Sequence, residues 1–288
     1  MTLVLRNDLD SYGVVGDPVE HSLSPMIHEA FARQFAQEIS YQKFHVTPAN
    51  LADFVRDFAA AGGKGLNVTV PHKGRAYALV DRRNEFAERA GAVNTISVNS
   101  GGETFGCNTD GVGLVRDIIS RHGQPLEGKS ILLLGAGGAA QGVVAPILAQ
   151  QPARLTIANR TVEKAQEVLQ QNVDAAGASV TSVMGFDELA QAPGASADVI
   201  INATSMGLAG ARVPLPAGAA DGAFCYDMSY GAAALFAAWA EANGARSSVD
   251  GLGMLVEQAA ESYSIWRGSY PETEPVFRML RAQLAAGA

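Results

Sequence analysis

Residues 131–140 are ILLLGAGGAA, and this stretch decides how the second half of the chain folds. The apolar run from Ile131 to Leu134 has the length and composition of a buried strand, and the small residues after it open a helix. A strand, a glycine-rich turn and a helix in this order are the context that a dinucleotide-binding fingerprint of the form G-x-G-x-x-A requires. Glycine-rich turns also occur for packing reasons alone, so the prediction of a dinucleotide site depends on the strand before the turn and the helix after it. The fingerprint residues are Gly135, Ala136, Gly137, Gly138, Ala139 and Ala140.

Three further apolar runs follow this motif and extend the same pattern. They are RLTIA (154–158), ADVII (197–201) and AFCYD (223–227). Helical stretches separate at least the first two of these four apolar runs, and strands that alternate with helices pair in parallel. The sequence therefore predicts a Rossmann fold over about residues 111–254, with a pyrophosphate lying at the N-terminus of the helix after the glycine turn.

The first part of the chain also alternates strands and helices. SYGVVG (11–16), YQKFHV (41–46) and GLNVTV (65–70) are predicted strands, and a hairpin is predicted around Ser100-Gly101-Gly102. Ser24 is predicted to cap a helix that has Pro25 at its first position, and Pro71 to open another. The helical tail is expected to pack back on this part. Residues 1–110 plus about 255–288 then form a discontinuous domain in an α/β chain of two domains, each with a mostly parallel sheet flanked by helices.

Composition and charge exclude several classes of function. The 288 residues carry a net charge of -8 with no lysine or arginine cluster, which argues against a nucleic-acid partner. Cys107 and Cys225 form no disulfide framework, and no histidine and cysteine spacing predicts a metal site. The first residues, MTLVLRNDLDSYG, lack the long apolar stretch expected of a signal peptide, and no apolar run reaches the ~18 residues of a membrane span. We therefore expect a cytoplasmic protein with a small-molecule partner, either a monomer or a homodimer.

The residues after RLTIA predict which dinucleotide binds. NAD sites usually carry an acid about 20 residues after the glycine turn, where it accepts from the ribose 2′-hydroxyl. Here the strand ends in Asn159, Arg160 and Thr161, with Lys164 one helical turn later. A guanidinium, a hydroxyl and an ammonium suit a 2′-phosphate. The sequence predicts NADP(H), and the alternative is a solvated basic turn.

The segment His21-Ser22-Leu23-Ser24-Pro25 predicts a carboxylate site. In an extended segment Ser22 and Ser24 point to the same side, and they precede a helix whose free N–H groups favour an anion. Two hydroxyls there suit a carboxylate. The alternative, that Ser24 only caps the helix, leaves Ser22 without a role.

Lys73 and Asp110 are the predicted catalytic pair. Lys73 lies in the first turn of a helix, where a cation opposes the helix dipole, and this mismatch indicates a functional position. Asp110 is well placed to cap its own helix. A catalytic role for Asp110 is favoured only because it is a possible partner of Lys73. Reducing a ketone by hydride leaves an alkoxide that needs a proton, and a lysine beside a carboxylate supplies one.

Nearly the whole chain resembles the shikimate dehydrogenase family. The resemblance rests on the order and spacing of HSLSP, GKGLNVTVPHK, AGAVNTI, NTDGVG, LLGAGGAA, ANRT, INATS, CYDMSY and DGLGMLVEQAA. It implies reversible reduction of 3-dehydroshikimate to shikimate with NADPH in aromatic amino-acid biosynthesis. It also implies an N-terminal substrate domain that the C-terminal helices complete, a Rossmann domain, and a cleft between the two.

The resemblance assigns further residues. It places Ser22 and Ser24 on the substrate carboxylate with Tyr230, and Met228 and Gly253 near the nicotinamide. The residues that it assigns to the ring hydroxyls and carbonyl are Asn67, Thr69, Asn94 and Gln258. His72, the stretch GAAALF (231–236) and Lys164 depart from what is common in the family.

Three other interpretations remain. A quinate/shikimate dehydrogenase that uses NAD is disfavoured by the missing acid after RLTIA. A non-catalytic relative that senses a metabolite would have lost the lysine and aspartate, and both are present. A dehydrogenase for a larger substrate such as a folate fits the serine pair less well.

Overall fold

The structure is a computed structural model that describes residues 5–6, 8–191, 197–204, 215–216 and 218–286. Ser205, the last residue of INATS, lies outside the described residues, as do the two ends of the chain. The chain divides into two compact units, one formed by the residues up to Asp110 and from Val256 onward, the other by Gly111–Leu255. No helix in the described ranges is long and apolar enough to cross a membrane.

The strands are numbered along the chain. They are β1 (Asp10–Gly16), β2 (Ile39–His45), β3 (Gly65–Val68), β4 (Arg82–Arg83), β5 (Thr95–Val98), β6 (Thr104–Cys107), β7 (Ser130–Leu134), β8 (Arg154–Asn159), β9 (Val180–Gly185), β10 (Val199–Asn202), β11 (Phe224–Asp227) and β12 (Ser247–Asp250).

The α-helices are numbered in the same way. They are α1 (Ser24–Gln34), α2 (Leu51–Ala60), α3 (Lys73–Leu79), α4 (Glu85–Ala90), α5 (Asp110–Arg116), α6 (Gly138–Leu148), α7 (Val162–Gln170), α8 (Phe186–Gln191), α9 (Leu235–Ala242), α10 (Leu252–Arg267) and α11 (Glu274–Ala286). A π-helical turn, Asp117–Arg121, continues α5.

The sheet of the first unit has six strands in the order β2-β1-β3-β5-β6-β4. β1 is parallel to both of its neighbours, and β4 is parallel to β6. β5 is antiparallel to β3 and β6, and the β5–β6 pair is the predicted hairpin. The mostly parallel sheet predicted for this unit is confirmed.

The sheet of the second unit has the order β12-β11-β10-β7-β8-β9, and every pair in it is parallel. This is the doubly wound order of a Rossmann fold, in which the strand order reverses between β7 and β10. Ligands of such sheets bind beyond the carboxyl ends of the strands at this reversal. The glycine turn follows β7, so it lies where the fold places a dinucleotide.

The helical tail packs on the first sheet. A side chain on Gly65 would collide with the Trp266 indole nitrogen, so the ring lies directly against that strand. The same nitrogen donates to the Ile96 carbonyl oxygen at 2.9 Å. Tyr263 is buried, and its hydroxyl donates to Gln37 Oε1 at 2.6 Å. These contacts give α10 a fixed position in the first unit.

Two predicted helix starts are wrong by one or two residues. The N-cap of α1 is Leu23, which makes no side-chain cap bond, and Ser24 is the first helical residue. α3 begins at Lys73 after the N-cap His72, so Pro71 precedes the helix instead of opening it. Asp110 is itself the first residue of α5. The side chains of Ser24 and Asp110 are therefore available for other contacts.

Three strands were not predicted from the sequence, namely β4, β9 and β12. All three lie at the edges of their sheets. An edge strand has only one hydrogen-bonded neighbour and need not be apolar, so its sequence lacks the continuous apolar run of a central strand. The β12 residues SSVD and the β9 residues VTSVMG are partly exposed along nearly their whole length.

Gly111 sets the distance between α5 and α6. A Cβ on Gly111 would collide with the carbonyl oxygen of Gly142 and would lie 2.5 Å from Pro146 Cγ. Backbone and proline atoms in a buried helix cannot yield as a flexible side chain can. The two helices therefore approach closely because position 111 has no side chain.

Gly111→Ala is expected to destabilise the second unit by about 1–3 kcal/mol, because overpacking forces buried helices apart. Thermal unfolding followed by circular dichroism measures the effect. Gly74→Ala is the matched control, since its Cβ would meet nothing closer than 3.9 Å and lies within a helix. If the Gly111 variant unfolds at the same temperature as the unmodified protein, α5 and α6 do not pack as closely at this glycine as described.

Candidate active site

Lys73 and Asp110 form an ion pair in the first unit. Lys73 Nζ donates to Asp110 Oδ2 at 2.5 Å. The lysine side chain is 27% exposed and the aspartate 9%, so solvent or a ligand reaches the pair from the lysine side. Lys73 is the first residue of α3, and the carboxylate offsets the unfavourable placement of a cation at a helix N-terminus. The structure thus brings together the two residues predicted to be catalytic.

Asn94 holds the carboxylate of this pair from its other side. Its Nδ2 donates to Asp110 Oδ1 at 2.8 Å and to Thr109 Oγ1 at 2.9 Å, and Gln258 Oε1 lies 3.3 Å away. Its Oδ1 accepts from the Thr109 backbone N–H at 2.9 Å. Asn94 is 2% exposed, so these bonds form out of water and fix the orientation of the amide.

Asn67 lies beside this group and is equally constrained. Its Nδ2 donates to Ser262 Oγ at 3.1 Å and to Thr95 Oγ1 at 3.3 Å, while its Oδ1 accepts from the Tyr41 hydroxyl at 2.7 Å. Burial raises the pKa of Tyr41 well above its usual value. The neutral Tyr41 hydroxyl therefore serves as the donor that orients Asn67.

Sequence reasoning missed the hydroxyl groups that accept hydrogen bonds from the two asparagine amides. Thr95 Oγ1 and Ser262 Oγ are 2.7 Å apart, and Thr109 Oγ1 lies 3.3 Å from the same serine oxygen. All three side chains are buried. The repeated dipeptide Asn-Thr, at 94–95 and 108–109, was the available signal. Tyr41 carried none, because it looks like any aromatic residue of a buried strand.

Ser22, and not Ser24 as predicted, makes the side-chain hydrogen bond at the start of α1. Ser22 Oγ accepts from the Ser24 backbone N–H at 3.2 Å and donates to Ser24 Oγ at 3.1 Å. Ser22, not Ser24, thus stabilises the entry to α1. Ser24 is 8% exposed. Ser22 has a structural role after all, which the sequence reasoning had denied it.

The remaining residues predicted for the substrate lie in both units. Thr69 follows β3 and is half-buried, and its backbone N–H donates to the Val15 carbonyl at 3.0 Å. Tyr230 and Met228 belong to the second unit and follow β11. Burial raises the pKa of the Tyr230 hydroxyl, so this side chain is neutral.

The glycine turn of the second unit has the form that a nucleotide requires. Gly135 has φ +103°, and a Cβ there would lie 3.2 Å from the Ala203 carbonyl oxygen. Side chains on Gly137 or Gly138 would meet nothing within 4 Å, so this backbone faces open space at the start of α6. Ala140 is fully buried and packs the helix on the sheet instead. The cradle suits a pyrophosphate group.

A cavity of about 800 Å³ extends from this turn to the end of β8. Arg160, Thr161 and Lys164 are exposed along it, and Asn159 Nδ2 donates to the Thr161 carbonyl oxygen at 2.8 Å. Among the lining residues that the structure describes, Glu167 is the only acid. The predicted lining residues are Gly135, Ala136, Gly137, Gly138, Ala139, Asn159, Arg160, Thr161 and Lys164, and those that were not predicted are Gln141, Glu167, Phe186, Ala203 and Thr204.

A buried carboxylate organises the loop after β11. Asp227 is 1% exposed, and its Oδ1 accepts from Asn202 Nδ2 and from the Ser229 N–H, each at 3.1 Å. Its Oδ2 accepts from the Phe236 N–H at 2.9 Å. Burial raises the pKa of Asp227, while these hydrogen bonds act in the opposite direction. The loop that carries Met228 and Tyr230 is thereby tied to the sheet.

Both cysteines and two of the histidines are buried and have no place in the proposed chemistry. Burial raises the pKa of Cys107 to about 11 and that of Cys225 to about 12, so neither is a reactive thiolate. Burial lowers the pKa of His28 to about 3, and its neutral ring stacks on Tyr41 at 4.5 Å. His72 is buried, with Nε2 2.7 Å from the Val46 carbonyl oxygen.

A nucleotide turn with basic residues beyond it, together with a lysine–aspartate pair in a polar network, defines an NADP-dependent oxidoreductase. Comparison with known families specifies this class. Residues 14–96 match the shikimate dehydrogenase substrate binding domain, residues 117–209 match shikimate/quinate 5-dehydrogenase, and residues 251–276 match the shikimate 5′-dehydrogenase C-terminal domain. The chain belongs to the shikimate dehydrogenase family.

Individual relatives agree with this membership. A protein of Alkalilimnicola ehrlichii named shikimate dehydrogenase (NADP(+)) is 51% identical, and the match covers 95% of this chain and 99% of that one. The crystal structure of an Ael1 enzyme from Pseudomonas putida has a TM-score of 0.87 at 39% identity, covering 94% and 98%. Shikimate 5-dehydrogenase from Thermus thermophilus, in complex with NADP(H) and shikimate, has a TM-score of 0.79 at 26% identity, covering 95% and 99%.

Proposed function

We propose that this chain catalyses the reversible reduction of 3-dehydroshikimate to shikimate with NADPH, a step of chorismate and aromatic amino-acid biosynthesis. The observation that carries this proposal is the Lys73–Asp110 pair, held by Asn94, in a chain whose other unit has a nucleotide turn followed by basic residues. Relatives that are about half identical over nearly their whole length are named for this activity.

The second unit is assigned to the cofactor. The backbone N–H groups around Gly137 and Gly138 suit the pyrophosphate, because they face open space at a helix N-terminus. Arg160, the Thr161 hydroxyl and Lys164 suit a 2′-phosphate. When bound, NADPH supplies the hydride that reduces the carbonyl carbon of the substrate.

The proton is assigned to Lys73. As hydride reaches the carbonyl carbon, the ammonium donates a proton to the carbonyl oxygen, and the neutral amine accepts it back when shikimate is oxidised. Asp110 accepts a hydrogen bond from Lys73 and keeps the ammonium oriented. Asn94 in turn keeps Asp110 from rotating, because it occupies the second carboxylate oxygen. The proton is thus delivered from one fixed direction.

The rest of the polar network is assigned to substrate binding. Ser22 and Ser24 suit the carboxylate of shikimate, with the neutral hydroxyl of Tyr230 as a further donor. The ring hydroxyls and the carbonyl are assigned to Asn67, Thr69, Asn94 and Gln258.

We further propose the cytoplasm as the location, since both thiols lie buried and unpaired. The acidic net charge of -8 fits a small-molecule partner better than nucleic acid.

Lys73→Ala is expected to lower kcat for shikimate oxidation by about 10²-fold or more, the usual scale for general acid–base catalysis. KM for shikimate should change much less, because the carboxylate contacts remain. Lys64→Ala is the matched control, since that lysine is exposed on the same unit and lies outside the polar network. A near-normal kcat for Lys73→Ala would remove this lysine from the mechanism.

Ser22→Ala is expected to raise KM for shikimate about tenfold or more, as loss of a charge-assisted hydrogen bond of about 1.5–3 kcal/mol implies. The variant should also lose about 0.5–1 kcal/mol of stability, because the Ser24 N–H loses its acceptor. Steady-state kinetics and thermal unfolding measure the two effects. Ser100→Ala, in the exposed hairpin turn, should show neither. An unchanged KM would place the carboxylate elsewhere.

The unmodified enzyme is expected to prefer NADP over NAD by about 10²-fold or more in kcat/KM, because each charge-assisted phosphate contact contributes about 1.5–3 kcal/mol. Arg160→Asp should remove most of this preference, and high salt should weaken NADP binding more than NAD binding. Arg154→Asp, at the other end of β8, is the control. Comparable kcat/KM for the two cofactors in the unmodified enzyme would instead favour a quinate/shikimate dehydrogenase that uses NAD.

A further inference from the structure

A buried charged cluster in the second unit has no part in the proposed chemistry. Asp117 is fully buried at the start of the π-helical turn. Its Oδ1 accepts from Arg121 Nε at 2.8 Å, and its Oδ2 accepts from the Tyr226 hydroxyl at 2.7 Å. His122 Nε2 lies 3.6 Å from the same carboxylate. Burying a carboxylate costs free energy unless both of its oxygens accept hydrogen bonds. A fully buried carboxylate is therefore expected to have a specific structural or functional role.

The cluster reaches the backbone at the start of α10. The Tyr226 hydroxyl, which donates to Asp117, accepts from the Met254 N–H at 3.2 Å. A Cβ on Gly253 would collide with Asp117 Oδ1, so the carboxylate occupies the space beside that glycine. Asp117 thus fixes residues 253 and 254 by a hydrogen-bonded hydroxyl and by direct contact.

The same segment is also fixed from the side of β11. The Gly251 N–H donates to the Ser229 carbonyl oxygen at 2.9 Å, and a Cβ on Gly251 would collide with the Met228 carbonyl oxygen. The segment therefore lies against the residues that follow the carboxyl end of β11. Residues 251–254 themselves follow the carboxyl end of β12.

The position of this segment beyond the sheet relates it to one half of a dinucleotide. The proposed function assigns the adenosine half to the cavity lined by the basic residues, at the ends of β7 and β8. A Rossmann sheet binds the second mononucleotide half beyond the strands on the other side of the order reversal, which here are β10, β11 and β12. Residues 251–254 lie at that side.

We propose that Asp117 is a positioning residue that holds the Gly251–Met254 segment as the seat of the nicotinamide half of the cofactor. It acts through Tyr226 and Gly253 and does not itself touch the cofactor. Gly253 is then a glycine because Asp117 fills the space beside it. This inference rests on the proposed function, which supplies the dinucleotide.

The test compares NADP⁺ with 2′-phospho-ADP-ribose, which lacks the nicotinamide. In Asp117→Asn the affinity for NADP⁺ should fall about tenfold, as loss of about 1.4 kcal/mol implies, while the affinity for the fragment stays within about twofold. kcat should fall by up to about 10²-fold with little change in KM for shikimate, since small misplacements of a reacting group have large kinetic effects. Isothermal titration calorimetry and steady-state kinetics provide these readouts.

Tyr226→Phe is the milder variant, which removes only the hydroxyl between Asp117 and Met254, and it should show the same selective loss. Val168→Ala is the control for general destabilisation, because it opens a cavity in the core of the same unit. It should leave the ratio of the two affinities unchanged. Equal losses for NADP⁺ and the fragment in Asp117→Asn and Tyr226→Phe, or no loss for either ligand, would overturn the proposal.

A double-mutant cycle tests the reason for Gly253. Gly253→Ala should weaken NADP⁺ binding, and Gly253→Ala combined with Asp117→Ala should bind no more weakly than Asp117→Ala alone. Additive losses would mean that the cofactor itself, not Asp117, requires the glycine. If the unmodified protein binds NADP⁺ but does not oxidise shikimate, the proposed function fails while the binding data still decide the role of Asp117.

Discussion

The carboxylate of Asp110 is the interaction on which the first unit depends. One oxygen accepts from Lys73 and the other from Asn94, so a single group joins the start of α3, the residue before β5 and the start of α5. A lysine at the first position of a helix is unfavourable in isolation, and an aspartate with one oxygen unmatched out of water is equally so. Each residue is tolerable only because the other two are present.

The two units hold their functional backbone by different means. The first unit uses neutral groups, two asparagine amides and three hydroxyls, around one ion pair. The second unit uses buried carboxylates, Asp117 and Asp227, each with hydrogen bonds to both of its oxygens. These carboxylates hold the segments that follow β11 and β12, where the backbone has left the hydrogen-bonded sheet. Hydrogen bonds to buried carboxylates, in place of side-chain packing, fix these loops.

The sequence predicted the fold because the central strands are nearly continuous apolar runs, as from Ile131 to Leu134, whereas the edge strands need little apolar surface and escaped prediction. Lys73 was found because a cation at a helix N-terminus is out of place for folding alone, and Asp110 was found as the candidate partner of that cation. Hydroxyl groups such as that of Ser262 were missed because a hydroxyl in a strand or helix has no such mismatch. Asp117 has no sequence signal that singles it out. Its burial and its partner on β11 come from tertiary structure, which periodicity does not encode.

The hydrogen bonds of the Asn67 and Asn94 amides have a consequence for recognition. Protein groups hold both amides in one orientation before any ligand arrives. Neither side chain has rotamer freedom left to lose, so the entropic cost of ordering them falls on folding and not on binding. Such a preorganised surface distinguishes molecules by the placement of their hydroxyl groups, since it cannot adapt to a ligand whose groups are displaced.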